Sequence, residues 1–143
     1  MPSDPRVLVI DDDMDCATSL TAVLRQLGCR AACGYGASMA VRIAQLFRPD
    51  LVFLDLELPG TNGCEVLAEI RRVSDPASRT IYVCLTGSAT EHAERLCSEA
   101  GFSHFVRKPL MPEQLAALLD EARALPAAPR VLRPGKSART APA

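Results

Sequence analysis

The chain alternates short, wholly apolar runs with longer segments whose apolar residues recur every three or four positions. Val7-Leu8-Val9-Ile10 is stopped by three aspartates, and Leu51-Val52-Phe53-Leu54 is stopped by Asp55. Unbroken runs of this length predict strands buried on both faces. Residues 80–85 and the shorter, half-apolar 103–106 also read as strands, and 30–35 is a weaker one. Between the strands, 14–27 carries Ala17, Leu20, Val23, Leu24 and Leu27 at helical spacing and closes at Gly28. A second helix over 38–47 turns Ala40, Ile43, Ala44 and Phe47 inward before Pro49. Pro59-Gly60-Thr61-Asn62-Gly63 reads as a loop leading to a helix over 64–72. Ser88, with Glu91 three residues later, fits a capping box for a helix that carries Ala93, Leu96, Cys97 and Ala100 and ends at Gly101. The last helix starts near Pro112 and places Leu115, Leu118, Leu119 and Ala122 on one side.

Five strands alternating with five helices predict an α/β fold, a parallel sheet with helices on both faces, because each crossover must return the chain to the same sheet edge. A length of 143 residues with 48% hydrophobic composition allows one sizeable core and is too short for two ordinary domains. From Pro126 onward Pro, Ala and Arg dominate without apolar periodicity, so 1–125 is the predicted domain and 126–143 a disordered tail or linker.

The formal net charge of -1 hides an asymmetry. Arg130, Arg133, Lys136 and Arg139 lie in the tail, which leaves 12 basic against 17 acidic residues in 1–125. Such a domain is a poor electrostatic match for DNA, and no nucleic-acid partner is expected. No apolar run reaches 18 residues, and Met1-Pro2-Ser3-Asp4 lacks the layout of a signal peptide, so a cytoplasmic protein without membrane insertion is expected. The six cysteines are scattered, and only Cys29 and Cys33 are close in sequence. With no second pair or suitable histidine near them, reduced structural thiols are expected rather than zinc. His92 and His104 have no ligand spacing and read as structural or surface residues.

In an open parallel sheet, ligands bind beyond the carboxyl ends of the strands, where the strand order reverses. The residues at those ends are Asp11, Asp12 and Asp13, then Asp55, Thr86 and Lys108. Converging carboxylates repel one another unless protonated or bridged by a cation, and a hard, oxygen-preferring ion such as Mg²⁺ is the simpler solution. Lys108 offers a compact positive charge and Thr86 a hydroxyl, both suited to phosphoryl oxygens. Asp55 alone ends a central strand by itself, which makes it the preferred nucleophile, whereas Asp13 reads as a helix cap. Lys108 is one of two lysines beside fourteen arginines, so its place before Pro109 is not explained by abundance.

Val9-Ile10-Asp11-Asp12-Asp13, Asp50-Leu51-Val52-Phe53-Leu54-Asp55 with Leu58-Pro59 and Gly63, Leu85-Thr86-Gly87 and Lys108-Pro109 follow in order at successive strand ends. On these motifs, over residues 6–124, the chain resembles the receiver domains of two-component response regulators and hybrid histidine kinases. The resemblance implies a flavodoxin-like, doubly wound, five-stranded sheet of order 2-1-3-4-5. It also implies that Asp55 accepts a phosphoryl group from a phosphohistidine, while Asp11, Asp12, Asp55 and the backbone carbonyl of Glu57 hold Mg²⁺, with Mn²⁺ as a substitute. Thr86 and Lys108 would bind phosphoryl oxygens, and Phe105 stands where an aromatic residue reorients with the threonine on activation. The implied partners are a sensor histidine kinase or a histidine phosphotransfer protein. A downstream protein would read the face of the fourth helix, fifth strand and fifth helix, with a phosphorylation-dependent dimer as a further option.

Two positions depart from the commonest pattern. Glu57 puts an acidic side chain two residues after the acceptor, where it bears on metal affinity and on hydrolytic water, and Gly87 stands where alanine is frequent. The expected function is a self-phosphorylating signalling domain with slow autodephosphorylation rather than an enzyme. A phosphorelay intermediate or phosphate sink, a receiver module of a hybrid kinase and, less well supported, an aspartate-based phosphatase are the alternatives.

Overall fold

The computed structural model describes residues 4–126, so the charged part of the predicted tail, from Arg130 to Arg139, lies outside the described residues. Its elements run β1 (Arg6–Ile10), α1 (Met14–Gln26), β2 (Arg30–Gly34), α2 (Ala37–Phe47) and β3 (Leu51–Asp55). There follow β4 (Glu57–Leu58), β5 (Thr61–Asn62), α3 (Gly63–Val73), β6 (Ile81–Thr86), α4 (Glu91–Ala100), β7 (His104–Arg107) and α5 (Pro112–Arg123).

Five strands form one sheet in the order β2-β1-β3-β6-β7, all parallel, which is the expected 2-1-3-4-5 arrangement once the short β4–β5 pair is set aside. Every residue of β3 and β6 is buried. Alternate residues feed two cores. Val7, Val9, Leu51, Phe53, Val83 and Leu85 pack with Leu24, Leu115 and Leu118 on the α1 and α5 side. Leu8, Ile10, Val52, Leu54 and Cys84 pack with Ala40, Val66, Ile70 and Cys97 on the other. The strand runs are unbroken because both faces are covered, and burial of each Leu, Ile or Phe contributes about 1.5–3 kcal/mol.

The structure corrects several local expectations. The stretch read as a plain loop after Asp55 contains the antiparallel pair β4–β5, closed by Pro59 and by Gly60 at φ 76, the residue pattern of a type II turn. The N-cap of α4 is Thr90, which accepts the Ala93 N–H, and not Ser88, whose N–H instead donates to Thr86 Oγ1 at 3.0 Å. Val23, Leu27 and Leu96 are exposed, so the buried stripes of α1 and α4 are narrower than their apolar periodicity suggested. In α4 only Cys97 is fully buried.

Candidate functional site

The order of the sheet reverses between β1 and β3, and register places Ile10 beside Leu54. The next residues, Asp11 and Asp55, therefore leave adjacent strands side by side. Asp11 and Asp55 are both buried, whereas Asp12 is exposed. Carboxylate oxygens of Asp11, Asp12 and Asp55 lie within 4.8 Å of one another. Asp13 stands apart as the N-cap of α1, accepting the Cys16 N–H at 3.2 Å, and that hydrogen bond holds its carboxyl below the usual range.

The sheet ladder continues into this crevice and fixes its loops. Leu56 N–H donates to Leu85 O at 2.9 Å and Lys108 N–H to Thr86 O at 2.8 Å, across a segment whose Lys108–Pro109 peptide is cis. Lys108 Nζ then reaches back to Asp11 Oδ2 at 2.9 Å and Asp55 Oδ2 at 3.2 Å. The other oxygens of the two acids are also engaged: Asp11 Oδ1 accepts the Asp13 N–H and Asp55 Oδ1 the Glu57 N–H, each at 3.0 Å.

Burial dominates the Asp55 carboxyl and pushes its pKa up to about 6, against the opposing hydrogen bond from Glu57 and the charge of Lys108. Burial works against the Lys108 ammonium as well, yet hydrogen bonds and charge from Asp11 and Asp55 outweigh it and push its pKa up to about 12. Three carboxylates face one ammonium, so the crevice keeps a surplus of negative charge on hard oxygen donors. That donor set fits a divalent cation of the Mg²⁺ class.

Thr86, at the end of β6, is fully buried. Phe105 on β7 is partly buried and packs against the core on the α4 side. The Glu57 side chain is exposed at the start of β4. Sequence reasoning gave no physical role to Gly63. A Cβ there would sit 2.7 Å from the Asp55 carbonyl oxygen, so the first residue of α3 must be glycine for the helix to approach β3. The signal available was its position at the end of a Pro-Gly loop.

Comparison with known proteins agrees with this geometry. The sequence pattern of the response regulator receiver domain matches residues 7–120. DNA-binding response regulator MtrA of Mycolicibacterium smegmatis is 40% identical over 112 residues, which are 78% of this chain and 47% of MtrA. Transcriptional regulatory protein PrrA of Mycobacterium tuberculosis is 32% identical over 116 residues, 80% of this chain and 48% of PrrA. The chain thus spans about half the length of these curated relatives. The non-phosphorylated HemR receiver domain from Leptospira biflexa matches with a TM-score of 0.73 at 26% identity, covering 87% of this chain and 98% of that one. The family match runs from within β1 to within α5 and passes through every strand end that builds the crevice, so the chain belongs to the response regulator receiver domains of two-component signalling.

Proposed function

We propose that Asp55 is the phospho-acceptor and that residues 1–125 form the receiver unit. The observation that carries this reading is the single ammonium of Lys108 shared by the buried acids Asp11 and Asp55 at neighbouring strand ends. An Asp55 oxygen attacks the phosphorus of a phosphohistidine, the P–N bond breaks, and the imidazole leaves with a proton. Lys108 meets the charge on the transferred oxygens, and Thr86 supplies a hydroxyl to the same group. Asp11, Asp12, Asp55 and the Glu57 carbonyl would hold Mg²⁺, with Mn²⁺ able to replace it. A bound Mg²⁺ would neutralise carboxylate and phosphoryl charge during transfer.

The phosphoryl group comes from a sensor histidine kinase or a histidine phosphotransfer protein, and the output is a change in partner binding through the α4–β7–α5 face, with Thr86 and Phe105 as switch residues. The domain is a switch rather than a turnover enzyme, with slow loss of phosphate. Among the described residues no helix is long and apolar enough to cross a membrane. MtrA is named as DNA-binding, but the acidic balance of residues 1–125 here favours a protein partner for this unit.

Incubation with Mg²⁺ and acetyl phosphate, followed by intact mass, tests the assignment. Wild type is expected to gain one phosphoryl group and Asp55→Asn none; equal adducts on both would overturn it.

A further inference from the structure

Three of the six cysteines converge between the sheet and α4. Cys84 Sγ on β6 and Cys97 Sγ on α4 lie 3.2 Å apart, and both residues are fully buried free thiols. Cys97 is also the one fully buried residue of α4, so the helix is held on the sheet through the side chain that faces Cys84. Cys64, in the first turn of α3, is half-buried, with its Sγ 4.0 Å from the Leu96 carbonyl oxygen. Its thiol is pushed up to about 11, first by burial and then by Cys97 beside it. Cys97 thus has Cys84 on one side and the half-buried Cys64 near it.

A buried cysteine ordinarily packs as an inert small hydrophobe. Cys29, buried against α1 and β2 in the opposite core, fits that description. The other group differs in three ways: two sulfurs from different elements already touch, a third reaches the surface, and one of the two belongs to the only fully buried residue of its helix. Bonding Cys84 to Cys97 needs only about 1 Å of further approach, since a disulfide spans about 2.05 Å.

We propose that Cys84 and Cys97 are a reversible dithiol–disulfide pair that pins α4 to the sheet when oxidised, with Cys64 as the thiol that receives the oxidant. The oxidant class is a hydroperoxide, hydrogen peroxide being the simplest. With the Cys64 thiol held up at about 11, only a small thiolate fraction reacts near neutral pH and the step quickens as pH rises: that thiolate attacks one peroxide oxygen and the O–O bond breaks, giving a sulfenic acid and, after protonation, water. Cys97 thiolate then attacks the Cys64 sulfur and expels hydroxide, which takes up the Cys97 proton and leaves as a second water. Cys84 thiolate attacks the Cys97 sulfur, the Cys64–Cys97 bond breaks, and Cys64 leaves as a thiolate that recovers the proton lost by Cys84. Two thiols lose two electrons in all, and one peroxide becomes two waters.

Burial raises the Cys84 thiol, so exchange proceeds when α4 lifts and water reaches the sulfurs. Oxidation therefore captures an opening of α4 and then suppresses it. The bridge ties α4 to the strand that delivers Thr86 two residues later. A dithiol reductant reverses it.

The test treats the full, unphosphorylated chain with hydrogen peroxide, alkylates remaining thiols under denaturing conditions and maps the bridged peptides, alongside amide exchange of residues 91–100. The expected result is a monomer with a Cys84–Cys97 bridge, reversed by dithiothreitol, and slower exchange in α4. Cys64→Ser is expected to form the bridge about tenfold more slowly at the same peroxide concentration. No bridge, a bridge between another pair, or unchanged α4 exchange would overturn the pinning; an unaltered rate in Cys64→Ser would overturn the role of Cys64. Because no phosphoryl donor is present, the result stands apart from the assignment of Asp55.

Discussion

The Lys108 ammonium lies 3.2 Å from Asp55 Oδ2 although β6 separates their two strands. It also bonds Asp11, so one side chain compensates two buried carboxylates. Removing it as Lys108→Met leaves both without a cation. We expect metal-free protein to lose about 2–4 kcal/mol at pH 7, less than for a fully enclosed pair because the lysine is partly exposed. Urea unfolding checks this, and Mg²⁺ should restore part of the loss in Lys108→Met while phosphoryl uptake from acetyl phosphate stays low.

The pKa of Asp55 predicts a pH dependence with a definite sign. Its folded value of about 6 lies above the ordinary 3.8, so the folded state binds this proton more tightly than the unfolded chain does. That contribution is complete below pH 4 and is lost as pH rises through 6, by up to about 3 kcal/mol. In EDTA, wild type should lose stability relative to Asp55→Asn between pH 4 and pH 7. With saturating Mg²⁺ the ionised carboxylate gains a partner and the relative decline should disappear.

Asp12 separates metal binding from folding. It is exposed, yet its carboxylate belongs to the cluster with Asp11 and Asp55. Asp12→Asn should lower Mg²⁺ affinity by about tenfold or more while shifting metal-free stability by less than about 0.5 kcal/mol. Titration calorimetry and urea unfolding of the same variant test both halves.

Gly63→Ala should act on the acceptor strand from behind. The added Cβ meets the Asp55 carbonyl oxygen at 2.7 Å and Leu56 Cα at 3.0 Å, both backbone atoms that cannot turn aside. A loss of about 1–3 kcal/mol is expected, with slower phosphoryl uptake if the strand end shifts. Gly87→Ala is the control, since a Cβ there meets nothing within 4 Å.

Thr86→Ala removes the oxygen that accepts the Ser88 N–H in the loop after β6. A cost of about 1–2 kcal/mol is expected, with faster amide exchange at Ser88. Thr86→Ser, which keeps the acceptor, should recover the Ser88 protection.

These residues were legible in the sequence because each strand is buried on both faces and so stops abruptly at its first functional side chain, as at Ile10-Asp11 and Leu54-Asp55. The parallel sheet followed from the alternation of strands and helices, and its strand order from the family resemblance alone. What escaped was decided by contacts between elements. Periodicity cannot tell how wide the buried stripe of a helix is, so Val23 and Leu96 share the apolar spacing of their helices although they are exposed. The capping-box spacing of Ser88 and Glu91 points to Ser88, yet the helix is capped by Thr90 while the Ser88 N–H donates to the Thr86 hydroxyl, a contact that spacing alone does not reveal. The meeting of Cys84 with Cys97 joins residues thirteen positions apart on a strand and a helix, and no local pattern marks it.

The narrow anchoring of α4 has a mechanical meaning. Asp11, Asp55 and Thr86 stand on a floor laced by ladder hydrogen bonds, while the helix beside them rests on one enclosed side chain. The helix with the least enclosed contact thus lies against the most heavily hydrogen-bonded part of the sheet, and amide exchange is expected to run faster in α4 than at the ends of β3 and β6.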